Sequence, residues 1–140
     1  MQNLDVPDIV YNLEPDLSVQ EFYEILQTST LAERRPVDDG ARLAVMLKEA
    51  DIILTARDGT KIVGISRAIT DYSYCCYLSD LAVDKAYQGQ GIGKKLLEKT
   101  HDAASHKTSL ILLSAPTARS YYPKVGMETI QNGWIMPRKN

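Results

Sequence analysis

Apolar positions along the chain follow a helical period first, then a strand period, then both in alternation. Ile9 to Leu13 is apolar enough for a short first strand. Ser18 with Glu21 three residues later is a capping-box signal. Val19, Phe22 and Leu26 then recur at helical spacing, which predicts a helix from about Val19 to Gln27. Thr28 to Pro36 reads as a connecting loop. Asp38 and Asp39 place negative charge where a second helix starts; Leu43, Met46 and Leu47 form its buried stripe, and it ends near Ala50. Strands follow at Ile52–Arg57 and Lys61–Thr70, with Asp58-Gly59 between them as a hairpin signal, because a tight primed turn needs positive φ. Tyr74 to Val83 is a third, longer strand.

A glycine-rich turn, Gln88-Gly89-Gln90-Gly91-Ile92-Gly93, comes next. Ile92, Leu96, Leu97, Thr100, Ala103 and Ala104 then share one side of a helix. Ser109 to Leu113 is a nearly continuous apolar run, the mark of a strand buried on both faces. A short helix around Thr117 to Lys124 precedes one or two closing strands around Asn132-Gly133, within Met127 to Arg138. This order predicts one mixed α/β domain over residues 1–140, with a strand–helix–strand crossover in its later half.

Composition narrows the function classes. Hydrophobic residues make up 44% of the 140 and charged residues 24%, ordinary values for a soluble globular protein. The net charge of −2 gives no basic field for nucleic acid or an anionic membrane. No apolar run approaches the roughly 20 residues of a membrane helix. Met1 to Asp8 is polar and acidic, without a secretory pattern, so a cytoplasmic protein is expected. Cys75 and Cys76 are neighbours, and neighbours on a strand face opposite ways. With only His101 and His106 elsewhere, no metal site is expected, and both cysteines read as reduced residues packed in or near a sheet.

The glycine turn carries the chemistry. A strand that ends in such a turn and runs into a helix offers unpaired helical N–H groups to an anion. Lys94 and Lys95 add positive charge. By itself the turn suits a phosphate or pyrophosphate. A nucleotide P-loop needs four residues between its glycine and its Gly-Lys pair, whereas Gly89 and Gly93 are separated by three, and Lys94 is followed by Lys95 in place of Ser or Thr. A dinucleotide fingerprint needs glycine where Lys94 stands.

The turn does fit the Arg/Gln-x-x-Gly-x-Gly/Ala signature, and the chain resembles the GNAT acetyltransferase superfamily. The resemblance runs over about residues 51 to 127 and more loosely over the rest. It includes the strand Asp80-Leu81-Ala82-Val83, the strand Leu110 to Ser114, and Tyr121-Tyr122-Pro123-Lys124-Val125-Gly126-Met127, similar to the family's aromatic-Tyr-x-x-x-Gly-Phe segment. Met127 in place of phenylalanine is a small departure. The resemblance implies a mostly antiparallel twisted sheet of about six to seven strands flanked by about four helices.

It also implies roles. Acetyl-coenzyme A would be the cosubstrate, its pyrophosphate held by backbone N–H groups from Gln88 through Lys94, that is Gln88, Gly89, Gln90, Gly91, Ile92, Gly93 and Lys94. Leu81, Ala82 and Val83 would pair with the pantetheine arm, and an N–H near Ala82 would polarise the thioester carbonyl. Tyr122, four residues before Gly126, takes the place of the general acid; Tyr121 takes a packing position. The family's strand glutamate falls near Tyr77, which is no carboxylate. Asp80 lies on the strand face opposite Leu81 and Val83 and reads as a polar residue bonding backbone or water, and His101 reads as exposed. Deprotonation through ordered water is expected.

In this family the acceptor is chosen by segments that correspond to Thr28–Pro36, Tyr72–Tyr77 and Asn132–Met136. Tyr72, Tyr74, Tyr77 and Trp134 are candidates for an aromatic wall suited to an arylalkylamine or polyamine-like cation. The stretch from Arg57 through the turn is similar to the plant and cyanobacterial serotonin acetyltransferase-like branch. The expected partner is a small-molecule amine, with peptide amines open and a homodimer a compatible assembly. A coenzyme-binding domain without turnover is the competing reading.

Overall fold

The computed structural model describes residues 8–139. The N-terminal segment read above for targeting therefore lies almost wholly outside the described residues. The elements run in the order β1 (Ile9–Leu13), α1 (Val19–Thr28), α2 (Gly40–Lys48), β2 (Ile52–Asp58), β3 (Lys61–Thr70), β4 (Cys75–Val83), α3 (Ile92–Ala104), β5 (Ser109–Ile111) and α4 (Tyr121–Lys124). The strands form one sheet in sequence order, antiparallel from β1 to β4, with β5 parallel to β4.

The helices begin where the sequence places them. Ser18 accepts a hydrogen bond from the Glu21 N–H (3.1 Å), and Asp39 accepts one from the Arg42 N–H (3.1 Å). Each satisfies a donor that the first helical turn leaves unpaired. The β2–β3 hairpin closes on Gly59-Thr60, since Asp58 pairs with Lys61, and only Gly59 has positive φ (62°). Asp58 is thus the last strand residue, and the turn falls one place later than the Asp58-Gly59 signal puts it.

Two cores flank the sheet. Ile92, Leu96, Leu97 and Ala104 of α3 pack on Ile52, Leu54, Ala56, Ala68, Cys76 and Leu78. Phe22, Ile25 and Leu26 of α1 and Leu43 and Leu47 of α2 pack on Ile53, Ile62, Ile65 and Ala82. Cys76 and Leu78 face α3 but so do Leu81 and Val83, while Ala82 faces α1 and α2. Strand alternation forbids that in a regular strand. The reason is a bulge: Arg67 pairs with Asp80 and Ala68 with Leu78, which leaves Ser79 unpaired. One inserted residue exchanges the two faces of β4 beyond it.

Four expectations change. The sheet has five strands, not six to seven: among the described residues none lies after β5. The arms beside Asn132-Gly133 are short, and Pro137 removes a ladder donor, so that hairpin is marginal. In consequence β5 is an edge strand, with Ser109 and Ile111 exposed, and is not buried on both faces. A continuous apolar run does not reveal whether a further strand covers it. The short helix predicted near residue 120 is divided into a 3₁₀ turn at Pro116–Ala118 and α4. His101, read as exposed, is half-buried, with Nε2 2.8 Å from the Thr108 carbonyl and its ring stacked on His106.

Gly64 lets α3 lie close to β3. A Cβ there would stand 3.0 Å from Leu96 Cδ1 and 3.2 Å from both Ala56 Cβ and Ile92 Cγ2. Gly64→Val should therefore destabilise the protein by about 1–3 kcal/mol in a denaturant titration. Electrostatics gives a second expectation. Arg57 donates to Glu14 and Glu21, tying β2 to the chain before and within α1. Its hydrogen bond is the main cause holding the Glu14 carboxyl below its ordinary 4.5, helped by Thr55. A depressed folded pKa contributes stability that is present above the unfolded value and is lost as pH falls through the folded one. Glu14→Gln should remove that contribution at neutral pH and flatten the stability profile below pH 4.5.

Candidate active site

β4 and β5 pair only at Cys75–Tyr77 with Ser109–Ile111. Beyond Tyr77 no strand among the described residues pairs with β4 on that side, so part of its backbone up to Val83 is open to a partner, although side chains of Arg35 and Gln88 take the Ser79 and Val83 carbonyls. The opening leads into a cavity of about 790 Å³. Leu81, Ala82 and Val83 line it, as do Gln88, Gly89, Gly91, Ile92, Gly93 and Lys94 of the turn. Of the ten residues expected to hold coenzyme, Gln90 alone is not in the lining.

The turn is built for an anion. Gly89 and Gly91 both have φ of 82°, a conformation that side chains strongly disfavour. The Gln88 amide folds back to donate to the Val83 carbonyl (3.2 Å). Tyr87 donates to Asp58 (2.6 Å), and Asp84 accepts from the Ala86 N–H (2.8 Å), which fixes the link between β4 and the turn. Gly91 is the N-cap of α3 and supplies no side-chain cap. The first intrahelical bond runs from Lys95 to Gly91, so the N–H groups of Ile92, Gly93 and Lys94 have no helical acceptor. Lys85 joins Lys94 in the lining, a cation not singled out from the sequence. This donor set fits the phosphate end of a coenzyme A molecule.

Tyr121 and Tyr122 stand in the same cavity, edge to face with ring centroids 5.2 Å apart. Their helix is only four residues long, and its direction comes from Gly126. The Met127 N–H bonds the Tyr122 carbonyl (3.1 Å), the Gly126 N–H bonds the Pro123 carbonyl (3.2 Å), and Gly126 has φ of 90°. That is a Schellman reversal, and it explains the spacing of Tyr122 and Gly126. Burial, then the neighbouring Tyr121, raises the Tyr122 phenol above its ordinary value. Tyr121 is also raised by burial. It does more than pack: its hydroxyl lies 2.6 Å from where a Cβ on Gly93 would be.

Asp80 is on the face opposite Leu81 and Val83, as alternation requires, but its partners are two arginine side chains. It is fully buried, bonded to Arg35 Nε (2.6 Å) and to Arg67 Nε. Arg35 also donates to the Ser79 carbonyl (2.7 Å) and Arg67 to the Ser79 hydroxyl (3.0 Å). The two arginines thus hold the bulge from the α1–α2 side. Arg35 also ties down the loop before it, whose residues Ser29, Thr30, Leu31, Glu33 and Arg34 line the cavity. Nothing in sequence spacing pairs Arg35 with a residue 45 positions away.

The aromatic wall does not form beside the turn. Tyr72, Tyr74, Tyr77 and Trp134 line no part of this cavity, and Trp134 is 97% exposed. Tyr77 instead borders a shallower groove with Ile69, Cys75, Cys76 and Ile111. The aromatics in the cavity are Tyr87, Tyr121 and Tyr122. Of the three acceptor segments expected, the loop after α1 reaches the cavity, whereas residues 72–77 and 132–136 do not. Cys75 is exposed and Cys76 buried. Among the described residues no group of three or more His, Cys, Asp or Glu side chains is placed to hold a metal ion.

The two glycines make distinct expectations. A side chain on Gly91 meets no protein atom within 4 Å, so in the free protein Gly91→Ala should act through its left-handed backbone, lowering stability in a denaturant titration by about 1–2 kcal/mol. A Cβ on Gly93 must displace Tyr121. Gly93→Ala should weaken coenzyme A binding in calorimetry, and pairing it with Tyr121→Phe should restore part of the affinity.

Comparison with known proteins agrees with this arrangement. A family model described as an acetyltransferase (GNAT) domain matches residues 12–134. The chain is 26% identical to the soybean (Glycine max) protein named Histone acetyltransferase TAP1, over 91% of this chain and 59% of that one. It is 32% identical to the Arabidopsis thaliana protein named GCN5-related N-acetyltransferase 2, chloroplastic, over 52% of this chain and 29% of the other. It therefore spans less than two thirds of these curated relatives. A probable acetyltransferase from meticillin-resistant Staphylococcus aureus has the same fold, with TM-score 0.75 and 20% identity, covering 95% of this chain and 100% of that one. An aminoglycoside acetyltransferase from an uncultured soil sample, solved with sisomicin, superposes with TM-score 0.65 and 21% identity, over 94% and 96% of the two chains. The glycine turn, the opened edge of β4 and the tyrosine pair are thus set in a chain that belongs to the GNAT acetyltransferase family.

Proposed function

We propose that the protein transfers an acetyl group from acetyl-coenzyme A to the primary amine of a small molecule, by direct attack while both are bound. The observation that carries this is the departure of β4 from β5 after Tyr77, into a cavity that also holds the glycine turn and the tyrosine pair. Acetyl-coenzyme A supplies an activated thioester and a thiolate leaving group. The N–H groups at the start of α3, with Lys85 and Lys94, would hold its phosphates. The free edge at Leu81–Val83 would align its extended arm, since a peptide-like chain can continue a sheet there. A backbone N–H near Ala82 would stabilise the negative charge that develops on the carbonyl oxygen.

Tyr122 serves as the acid. Its pKa is raised, so its phenol stays protonated through neutral and mildly alkaline pH, the form a proton donor needs. The α1–α2 loop forms the acceptor side. The names of the soybean and soil relatives point to different acceptors, histone in one case and aminoglycoside in the other. Residues of that loop wall the cavity across from the turn, and an acceptor site enclosed in this way favours a small amine over a folded protein surface.

Thiol release from acetyl-coenzyme A, measured with an arylalkylamine, a polyamine, an aminoglycoside and a lysine peptide, should reveal turnover on one of the small amines. Turnover on the peptide alone would move the acceptor class. Tight coenzyme binding with no turnover on any of them would leave a binding domain and overturn the proposal. Tyr122→Phe should lower kcat by about 10²-fold while acetyl-coenzyme A affinity stays nearly constant. An unchanged kcat would place the acid elsewhere.

A further inference from the structure

The side chains that line the cavity are unevenly charged. Lys85, Lys94 and Arg34 are cationic, and Glu33 is the one carboxylate in the lining. The two lysines flank the turn that suits phosphate. Glu33 is on the 3₁₀ turn Leu31–Arg34, two residues before Arg35. Arg35 is bonded to Ser79 and Asp80, immediately before Leu81, where the free edge of β4 faces the cavity. The Glu33 backbone is held as well, its N–H donating to the Thr30 carbonyl (3.2 Å). Among the described residues the Glu33 carboxylate takes part in no ion pair. Glu33 is exposed and held only through its backbone, so its carboxylate stands on the acceptor wall without a protein partner and within reach of a bound ligand.

We infer that Glu33 is the specificity residue for the acceptor: its carboxylate binds the ammonium group of a cationic amine. The inference rests on the acetyl-transfer reading above and gives it a substrate class, amines that arrive charged. Arg34 opposes Glu33, because its guanidinium repels the same cation. The two neighbours therefore have effects of opposite sign, which a merely structural role for the loop does not produce.

Steady-state kinetics with spermidine, tyramine and an aminoglycoside tests this, using whichever the wild type acetylates fastest. Glu33→Gln should raise KM for that amine about fivefold, with kcat and acetyl-coenzyme A affinity little changed, and Glu33→Asp should restore most of the loss. Arg34→Ala should lower KM. Raising sodium chloride from about 0.05 to about 0.5 M should raise the wild-type KM and leave that of Glu33→Gln flat, because salt screens an exposed ion pair. A KM for Glu33→Gln within twofold of wild type, or an equal salt response in both, overturns the inference. If the wild type acetylates none of spermidine, tyramine and the aminoglycoside, the assignment of cationic small amines fails. If it acetylates nothing in the wider panel, the acetyl-transfer reading fails with it.

Discussion

Asp80 has no solvent exposure and lies between two guanidinium groups in the middle of β4. A lone charge so placed would be prohibitive, and removing one partner from a buried pair typically costs about 3–5 kcal/mol. The carboxylate is tolerated because Arg35 and Arg67 each bond one of its oxygens, and the same arginines satisfy Ser79, the residue that bulges out of the ladder. The bulge turns the second half of β4 over. That exchange aims Leu81 and Val83 at the α3 side and sends Asp80 to the α1–α2 side. One cluster therefore fixes the strand direction, the strand faces and the loop that walls the cavity.

The cleft needs little side-chain chemistry beyond this. Its phosphate end is made of backbone, with glycine where the chain has positive φ. Its tyrosines are aimed by a four-residue helix whose exit is set by Gly126. Gly93 serves both ends, since it begins α3 and also makes room for the Tyr121 hydroxyl. The charged groups are sorted by location: lysines beside the turn, a carboxylate on the opposing loop.

Local signals carried much of this into the sequence. The cap at Ser18, the acidic start of α2, the stripe along α3 and the Gln88–Gly93 turn each depend on residues a few positions apart, and each lies where local spacing puts it; that Asp39 itself caps α2 is a detail the structure adds. Distant pairing was not legible. Neither Arg35 nor Arg67 announces that it reaches Asp80, because ion pairs leave no periodicity. The apolar run at Ser109–Leu113 gives the same pattern for a central strand and for the edge that it is. Tyr72, Tyr74, Tyr77 and Trp134 share composition but no location on the cavity. Glu33 had no motif to mark it and became visible only as the lone acid in the lining.

The missing cap on α3 has a thermodynamic consequence. Ser18 and Asp39 complete α1 and α2 from within the chain, so those helices are finished whatever the solution contains. Gly91 offers no such group to α3, the helix on which one whole face of the sheet is packed. An anion seated on the turn would complete that helix from outside. Folding and ligand occupancy then become one linked equilibrium, and the resistance of the fold to heat becomes a function of ligand concentration as well as of sequence.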